Sequence, residues 1–393
     1  MMQRVGVIGG GQLAWMMAPG AAQLQITLVV QTPKPDDPAV RVVPNPVLAP
    51  VADAQATAAL AARCQVITFE NEFIDLPGLQ QLAAQGIQFY PQLSCLEPIL
   101  DKYTQRQYCQ RLGLPSPRFT TLESVADIDR LPAVVAEVGL PFALKTRRHG
   151  YDGQGTFIIK TLAEAASVWE QLGYQPILLE AFVPFVQELA VMVARDQMGS
   201  VAVYPVVASE QIDQVCRRVI APAIVSTTVR DKVRAIATQL ITALDYIGVL
   251  GIELFLTDDG QVLINEIAPR THNSGHYTLD ACRTSQFEQQ LRAVAGHPLG
   301  DPEMICPRAI MVNLLGYETA STLDNPEYTG KLAALSALPD AHLYWYGKSD
   351  SRPGRKLGHV TVLIQDATVG ASDISAIIRA VEGCWYPASS SVD

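Results

Sequence analysis

The residues from Asn265 to His276, "NEIAPRTHNSGH", gather a carboxylate, a guanidinium and two imidazoles into one short segment of a chain that is 49% hydrophobic. Thirteen residues before Glu266 stands Glu253, in "GIELFLTDDGQVLINE". The "TDDG" segment between them reads as a turn joining two alternating strands. A loop of even length pairs Glu253 with Ile264 and Glu266 with Gly251, making the two glutamates diagonal neighbours on one face, roughly 7 to 8 Å apart at Cα. An odd-length loop would throw them onto opposite faces. Two carboxylates converging on an apolar hairpin repel unless a proton or a cation intervenes, and a donor set of oxygens favours Mg²⁺ shared with phosphates. Either glutamate could instead be a solvated residue at a strand end. His272 and His276, four apart, would suit zinc on a regular helix, but Pro269 and "NSG" interrupt that helix and no third nitrogen or sulfur ligand is near.

Local basic clusters are informative because the chain as a whole carries a formal net charge of −10, which disfavours broad binding to nucleic acid or anionic membrane. The clusters are "KTRRHG" at 145–150 and "KSDSRPGRK" at 348–356. The seven cysteines are odd in number, far apart and free of any C-x-x-C, so reduced thiols are expected. No apolar run approaches the roughly 18 to 20 residues of a membrane span, and "MMQRVGVIGG" reads as a strand entering a glycine turn. A cytoplasmic protein is expected.

The elements that must hold these groups follow from periodicity. Up to about residue 99, short apolar runs alternate with helical patterns, the signature of a parallel α/β sheet. "GVIGGGQLA" satisfies a dinucleotide fingerprint at Gly9, Gly11 and Ala14, but Gln31 stands where the ribose-binding acid belongs, and Asp36 and Asp37 fall in a proline-rich turn. The helix N-terminus there receives some other anion or simply closes a tight turn. A helix "DKYTQRQYCQRLGL" follows, then strands "FALKTR" and "GTFIIK", an alanine-rich helix and strand "PILLEAFV". Next come the strands "QELAVMVARD" and "SVAVYPVV", a long helix "TVRDKVRAIATQLITALDYIG", and the glutamate hairpin. The tail alternates in strand style, with "RAIMVNLLG", "HLYWYG" and "KLGHVTVLI" closed by the helix "ASDISAIIRAVEG".

"GIELF…LINEIAPRTHNSGH", with "LDKYTQR", "KTRRHGYDGQG" and "RPGRKLGH", resembles the ATP-grasp superfamily over essentially the whole chain in the same motif order. Within it the chain is similar to the N5-carboxyaminoimidazole ribonucleotide synthetases, the ATPase subunits of phosphoribosylaminoimidazole carboxylase. The resemblance implies an α/β and α+β fold: a Rossmann-like domain at 1–99, an ATP-grasp domain at 100–295 with its lid at about 105–180, and a β-rich domain at 296–393. It implies a homodimer that uses ATP and Mg²⁺ to carboxylate 5-aminoimidazole ribonucleotide with bicarbonate through carboxyphosphate.

The same resemblance implies roles for individual residues. Lys102 and Lys145 would contact phosphates, and Tyr151, Asp152, Gly153, Gln154, Gly155 and Thr156 would form the lid over them. Glu180, Ala181, Phe182 and Val183 would meet the adenine edge, Glu188 the ribose hydroxyls, and Gln211 the nucleotide side. Glu253 and Glu266 would be the Mg²⁺ ligands, with Asn265 beside them. Tyr151, Arg270, His272, Asn273 and Ser274 would line the ribonucleotide and bicarbonate site, the first four with catalytic roles. Lys348 and Arg355 would hold the 5′-phosphate, and Glu70 or Glu72 its ribose or amine side. The chain departs from the family pattern at Ala14 and Trp15, at His149, Gln154 and Thr156, and at Ser209, Glu210, Gln211, Gln214 and Val215. Three competing readings are a ligase using formate or another acyl donor, a catalytically weakened nucleotide-binding homologue, and a dehydrogenase, which Gln31 disfavours.

Overall fold

The computed structural model describes residues 3–148, 155–323 and 325–387. Strands Val47–Leu48, Ile26–Thr32, Gln3–Ile8 and Val66–Phe69 form a parallel sheet in that order. Their near-continuous apolar runs suit a sheet covered on both faces. Met16 and Met17 of helix Gln12–Gln23 share a buried cluster with Phe287 and Leu291 of helix Gln286–Val294. This contact seats the first sheet against the rest of the molecule.

A four-stranded antiparallel sheet follows, ordered Phe119–Leu122, Ile177–Ala181, Phe142–Thr146, Thr156–Ile159. Helices Leu131–Val138 and Leu162–Gln171 cover it, with Trp169 fully buried between them. The nine-stranded sheet that makes up the remainder runs Val262–Ala268, Gly248–Thr257, Phe185–Arg195, Val207–Ile212, Val215–Ala221, Arg308–Leu315, Lys356–Ile364, Ala341–Trp345, and Val201–Val203 pairs with Phe185–Arg195. Strand Val215–Ala221 pairs directly with Arg308–Leu315, so the strands after residue 296 extend the same sheet. Helix Thr227–Ala243, capped by the Ser226 hydroxyl on the Val229 N–H, packs Val233, Ile236 and Leu240 beneath it. No helix among the described residues is long and apolar enough to cross a membrane.

One hairpin escaped the sequence reading. "SVAVYPVV" is two strands, Val201–Val203 and Val207–Ile212, interrupted at Pro205, and the second pairs with Val215–Ala221 across a two-residue turn. Both turn residues, Asp213 and Gln214, have positive φ, of 51° and 63°. Such turns normally announce themselves by Asn-Gly or Asp-Gly, and glutamine carries no such signal.

Candidate active site

The glutamate hairpin differs in register from the expectation. The turn spans the three residues between Thr257 and Gln261, whose backbone groups bond at 3.0 Å, and Leu256 pairs with Val262. An odd loop alone would place Glu253 and Glu266 on opposite faces. The register shifts between Glu253 and Leu254, however, so that Leu254 faces Ile264 but Glu253 faces Glu266 directly. Asn265 is the extra residue of this β-bulge, and it returns Glu266 to the face of Glu253. The two carboxylates are therefore direct cross-strand neighbours rather than diagonal ones.

Their surroundings are unequal. Lys102 Nζ lies 3.3 Å from Glu266, and although burial acts the other way, Lys102 and Lys145 hold that carboxyl below its ordinary pKa. Among the described residues Glu253 has the more distant partner, His272 Nε2 at 3.6 Å, and burial together with the Glu266 and Glu188 carboxylates pushes its pKa up to about 7. Among the described residues no three His, Cys, Asp or Glu side chains cluster as a metal cage. Two carboxylates with unmet demand for positive charge fit a cation that takes its other oxygens from phosphate and water. The folded chain keeps a proton on Glu253 up to about pH 7, whereas the unfolded chain releases it near the usual carboxylate value. Stability of metal-free protein should therefore fall as pH rises through that window. Glu253→Gln is expected to raise Tm at pH 8 in chelator and to leave it nearly unchanged at pH 4, as a calorimetric scan at both pH values would show.

Lys145, 8% exposed, reaches the hairpin from the small sheet, with Nζ 3.1 Å from Asn265 Oδ1 and 2.6 Å from Glu180 Oε2. Arg106 grips the other Glu180 oxygen and the Asn265 carbonyl. Against the opposing effect of burial, Arg106 and Lys145 hold the Glu180 carboxyl down to about 2. Glu180 thus serves as the counter-ion of two cations, a task beyond its expected place on an adenine edge. Arg106 was not foreseen. Its signal was available, because Lys102 and Arg106 are four apart and share one helical face.

These groups open into a cleft of about 1710 Å³ that also takes in Thr156, Ala181, Phe182, Val183, Glu188 and Gln211. Phe185 and Phe255 stack at 4.7 Å on its wall, offering a flat apolar surface, and neither had been singled out. Glu188 lies between Ser209 and Phe255 in the sheet, and burial raises its carboxyl to about 7. Gly155 has φ +83°, and Tyr151, Asp152, Gly153 and Gln154 lie outside the described residues, as does His149.

The same cleft is lined also by Arg270, His272, Asn273, Lys348 and Arg355, with His272 adjoining Glu253 of the hairpin. Glu72 lines the same cleft and holds Arg270 in a fork, 2.7 Å to Nε and 3.2 Å to Nη2. His272 crosses the strand closely enough that a Cβ on Gly251 would collide with its own Cβ, and Gln286 clamps its backbone N–H and carbonyl at 2.9 and 2.7 Å. The side-chain amides of Asn273 and Asn313 exchange hydrogen bonds, Asn273 donating at 3.0 Å and Asn313 at 2.7 Å. Ser274 is fully buried and is not among the residues that line the cleft. His276, read only as a failed zinc ligand, reaches the cleft wall and rests against Tyr346 and Asn273. Lys348 Nζ donates to the Lys356 carbonyl at 2.7 Å, and Arg355 pairs with Asp350.

Glu70 answers the glycine-turn question. Its carboxylate accepts from the N–H groups of Gly11 at 2.6 Å and Leu13 at 3.1 Å, so the anion at this helix N-terminus is the chain's own. A Cβ on Gly9 or Gly11 would strike that carboxylate, and Gly9 adopts φ +118°. Gln31, also buried, accepts from Thr57 and donates to the carbonyls of Pro50 and Asp53. The dinucleotide fingerprint is thus consumed by internal contacts.

Comparison with known proteins matches residues 2–99 to the ribonucleotide synthetase preATP-grasp domain, 107–287 to the ATP-grasp domain and 309–371 to the phosphoribosylaminoimidazole carboxylase C-terminal domain. N5-carboxyaminoimidazole ribonucleotide synthase of Synechococcus elongatus is 52% identical over 98% of this chain and 96% of its own. The chain belongs to this family of ATP-grasp ligases. Carboxyaminoimidazole ribonucleotide synthase of Aspergillus clavatus, complexed with ATP, superimposes with a TM-score of 0.88 at 31% identity, covering 97% of this chain and 99% of that one. The enzyme of the same organism in complex with ADP and 5-aminoimidazole ribonucleotide gives 0.87 at 30% identity, with 97% and 99% covered.

Within this synthase family pattern the departures divide by position. Ser209, Glu210, Gln211, Gln214 and Val215 line the cleft, with Ser209 directly opposite Glu188 in the sheet. Trp15 instead packs edge-on against Tyr344 and Tyr346, at 6.3 and 6.2 Å, joining the first helix to the C-terminal strands.

Proposed function

We infer that this chain carboxylates 5-aminoimidazole ribonucleotide with bicarbonate at the expense of ATP, giving N5-carboxyaminoimidazole ribonucleotide, ADP and phosphate. Family membership supports the reaction, and the observation that carries its location is one continuous cleft lined both by the carboxylate hairpin and by Arg270, Lys348 and Arg355. ATP lies along the hairpin, its phosphates facing Lys102 and Lys145, its base along Glu180 to Val183 and its ribose at Glu188. Glu253 and Glu266 would hold Mg²⁺, which when bound neutralises charge on the phosphate oxygens. A bicarbonate oxygen attacks the γ-phosphorus and ADP leaves, and the resulting carboxyphosphate surrenders its carboxyl group to the ribonucleotide amine as phosphate departs. The chain supplies position and charge rather than a nucleophile. Arg270, His272 and Asn273 face the carbon-bearing groups, and Lys348 and Arg355 exchange their internal partners for the 5′-phosphate. The family resemblance also implies a homodimer in the cytoplasm.

Phosphate release measured with each substrate omitted in turn tests the reaction. Full turnover should require ATP, bicarbonate and the ribonucleotide together. Equal turnover with formate in place of bicarbonate would assign the chain to another acyl donor, and tight ATP binding without turnover would mark it as a weakened homologue.

A further inference from the structure

Arg106 is 2% exposed and has no place in the reaction as described above. It donates through Nε to Glu180 Oε1 and through Nη2 to the carbonyl of Asn265. Lys145 Nζ meets the other oxygen of the same carboxylate at 2.6 Å and the side-chain oxygen of the same asparagine at 3.1 Å. Arg106, Glu180, Lys145 and Asn265 therefore close a ring. Its members come from helix Lys102–Arg111, from two strands of the small sheet, Phe142–Thr146 and Ile177–Ala181, and from Val262–Ala268 at the edge of the large one.

We propose that Arg106 is a positioning residue for ATP, holding from behind both groups that Lys145 binds and so fixing the Lys145 ammonium over the phosphates. The inference rests on the reading that Lys145 contacts ATP. An ammonium has three donors, of which Glu180 and Asn265 take two among the described residues, and the third is the one a ligand oxygen would use. Turning both Glu180 oxygens onto Lys145 would cost the carboxylate its bond to Arg106, which opposes withdrawal of the ammonium. Charge balance alone does not account for the arginine, since its bond to the Asn265 carbonyl compensates no charge. That bond instead pins the bulge on which Glu266 depends. The surplus positive charge of the ring suits an anion in the cleft.

The test compares Arg106→Met, Arg106→Lys and Lys145→Met by KM for ATP, KM for the ribonucleotide, kcat and Tm. Arg106→Met should raise the ATP KM about tenfold or more, the scale of one lost charge-assisted hydrogen bond, with the ribonucleotide KM changed by less than about twofold. Arg106→Lys keeps the charge but lacks the planar fork, and its ATP KM should fall between wild type and Met. If Arg106→Met does not fold, Arg106→Lys decides. A rise in the ATP KM alone supports the proposal, whereas both KM values rising together, or neither, overturns it. Lys145→Met separates the two levels of inference. A raised ATP KM there with normal values in both Arg106 variants overturns positioning by Arg106, while an unchanged ATP KM in Lys145→Met overturns the assignment of Lys145 itself.

Discussion

Glu266→Gln is expected to lower ribonucleotide-dependent ATP turnover by at least about 100-fold while the protein remains folded, and Glu253→Gln to do the same. Both substitutions keep the volume of the side chain and remove the charge. The bulge at Asn265 sets the two carboxylates face to face, with Lys102 beside one and His272 beside the other, and a bound cation would displace the proton that Glu253 otherwise keeps up to about pH 7. Folding should tolerate the change because Glu266 is 41% exposed on its side chain and its pair with Lys102 is long at 3.3 Å, the kind of contact that contributes little. Turnover titrated with Mg²⁺, beside a thermal melt of each variant, makes the comparison. Normal turnover in both single variants would show that the hairpin is not the metal site.

Arg270→Lys should lower kcat/KM for the ribonucleotide by about 100-fold with the KM for ATP little changed. Glu72 grips Arg270 through two nitrogens, which aims the guanidinium along the cleft, and burial is outweighed by that carboxylate so that the group stays fully charged. A lysine ammonium cannot reproduce the fork, and its point charge would turn to Glu72. Glu72→Gln should have a smaller effect of the same kind, since the guanidinium persists but loses its aim. Steady-state kinetics with each substrate varied distinguishes these outcomes. Equal loss toward ATP and ribonucleotide would place Arg270 in a general structural role.

The outline of both the fold and the site was legible because it rests on short-range patterns. Alternation in "QVLINEIA" marks a strand, "KLGHVTVLI" coincides with strand Lys356–Ile364, and the motif order alone supports the family, whose model matches lie in that order. What failed depended on partners far along the chain. Ser274 sits among the right neighbours but turns into the interior, and the Asp213–Gln214 turn lacks its usual glycine. Glu70 lines the cleft, and only folding shows that its carboxylate also accepts from the N–H of Gly11, 59 residues away.

By itself the sequence determined which residue types are available, the parallel character of the first sheet and the presence of two carboxylates on one hairpin. Only the tertiary structure decided how they are used. The faces of the two glutamates depend on a bulge, because side chains alternate along a strand and a single extra residue reverses every one beyond it. The roles of Glu70, Glu72 and Glu180 depend on which cation or N–H group folding brings within bonding distance. A buried carboxylate must be paired by whatever donor is nearest in space, and spacing along the chain does not reveal that donor.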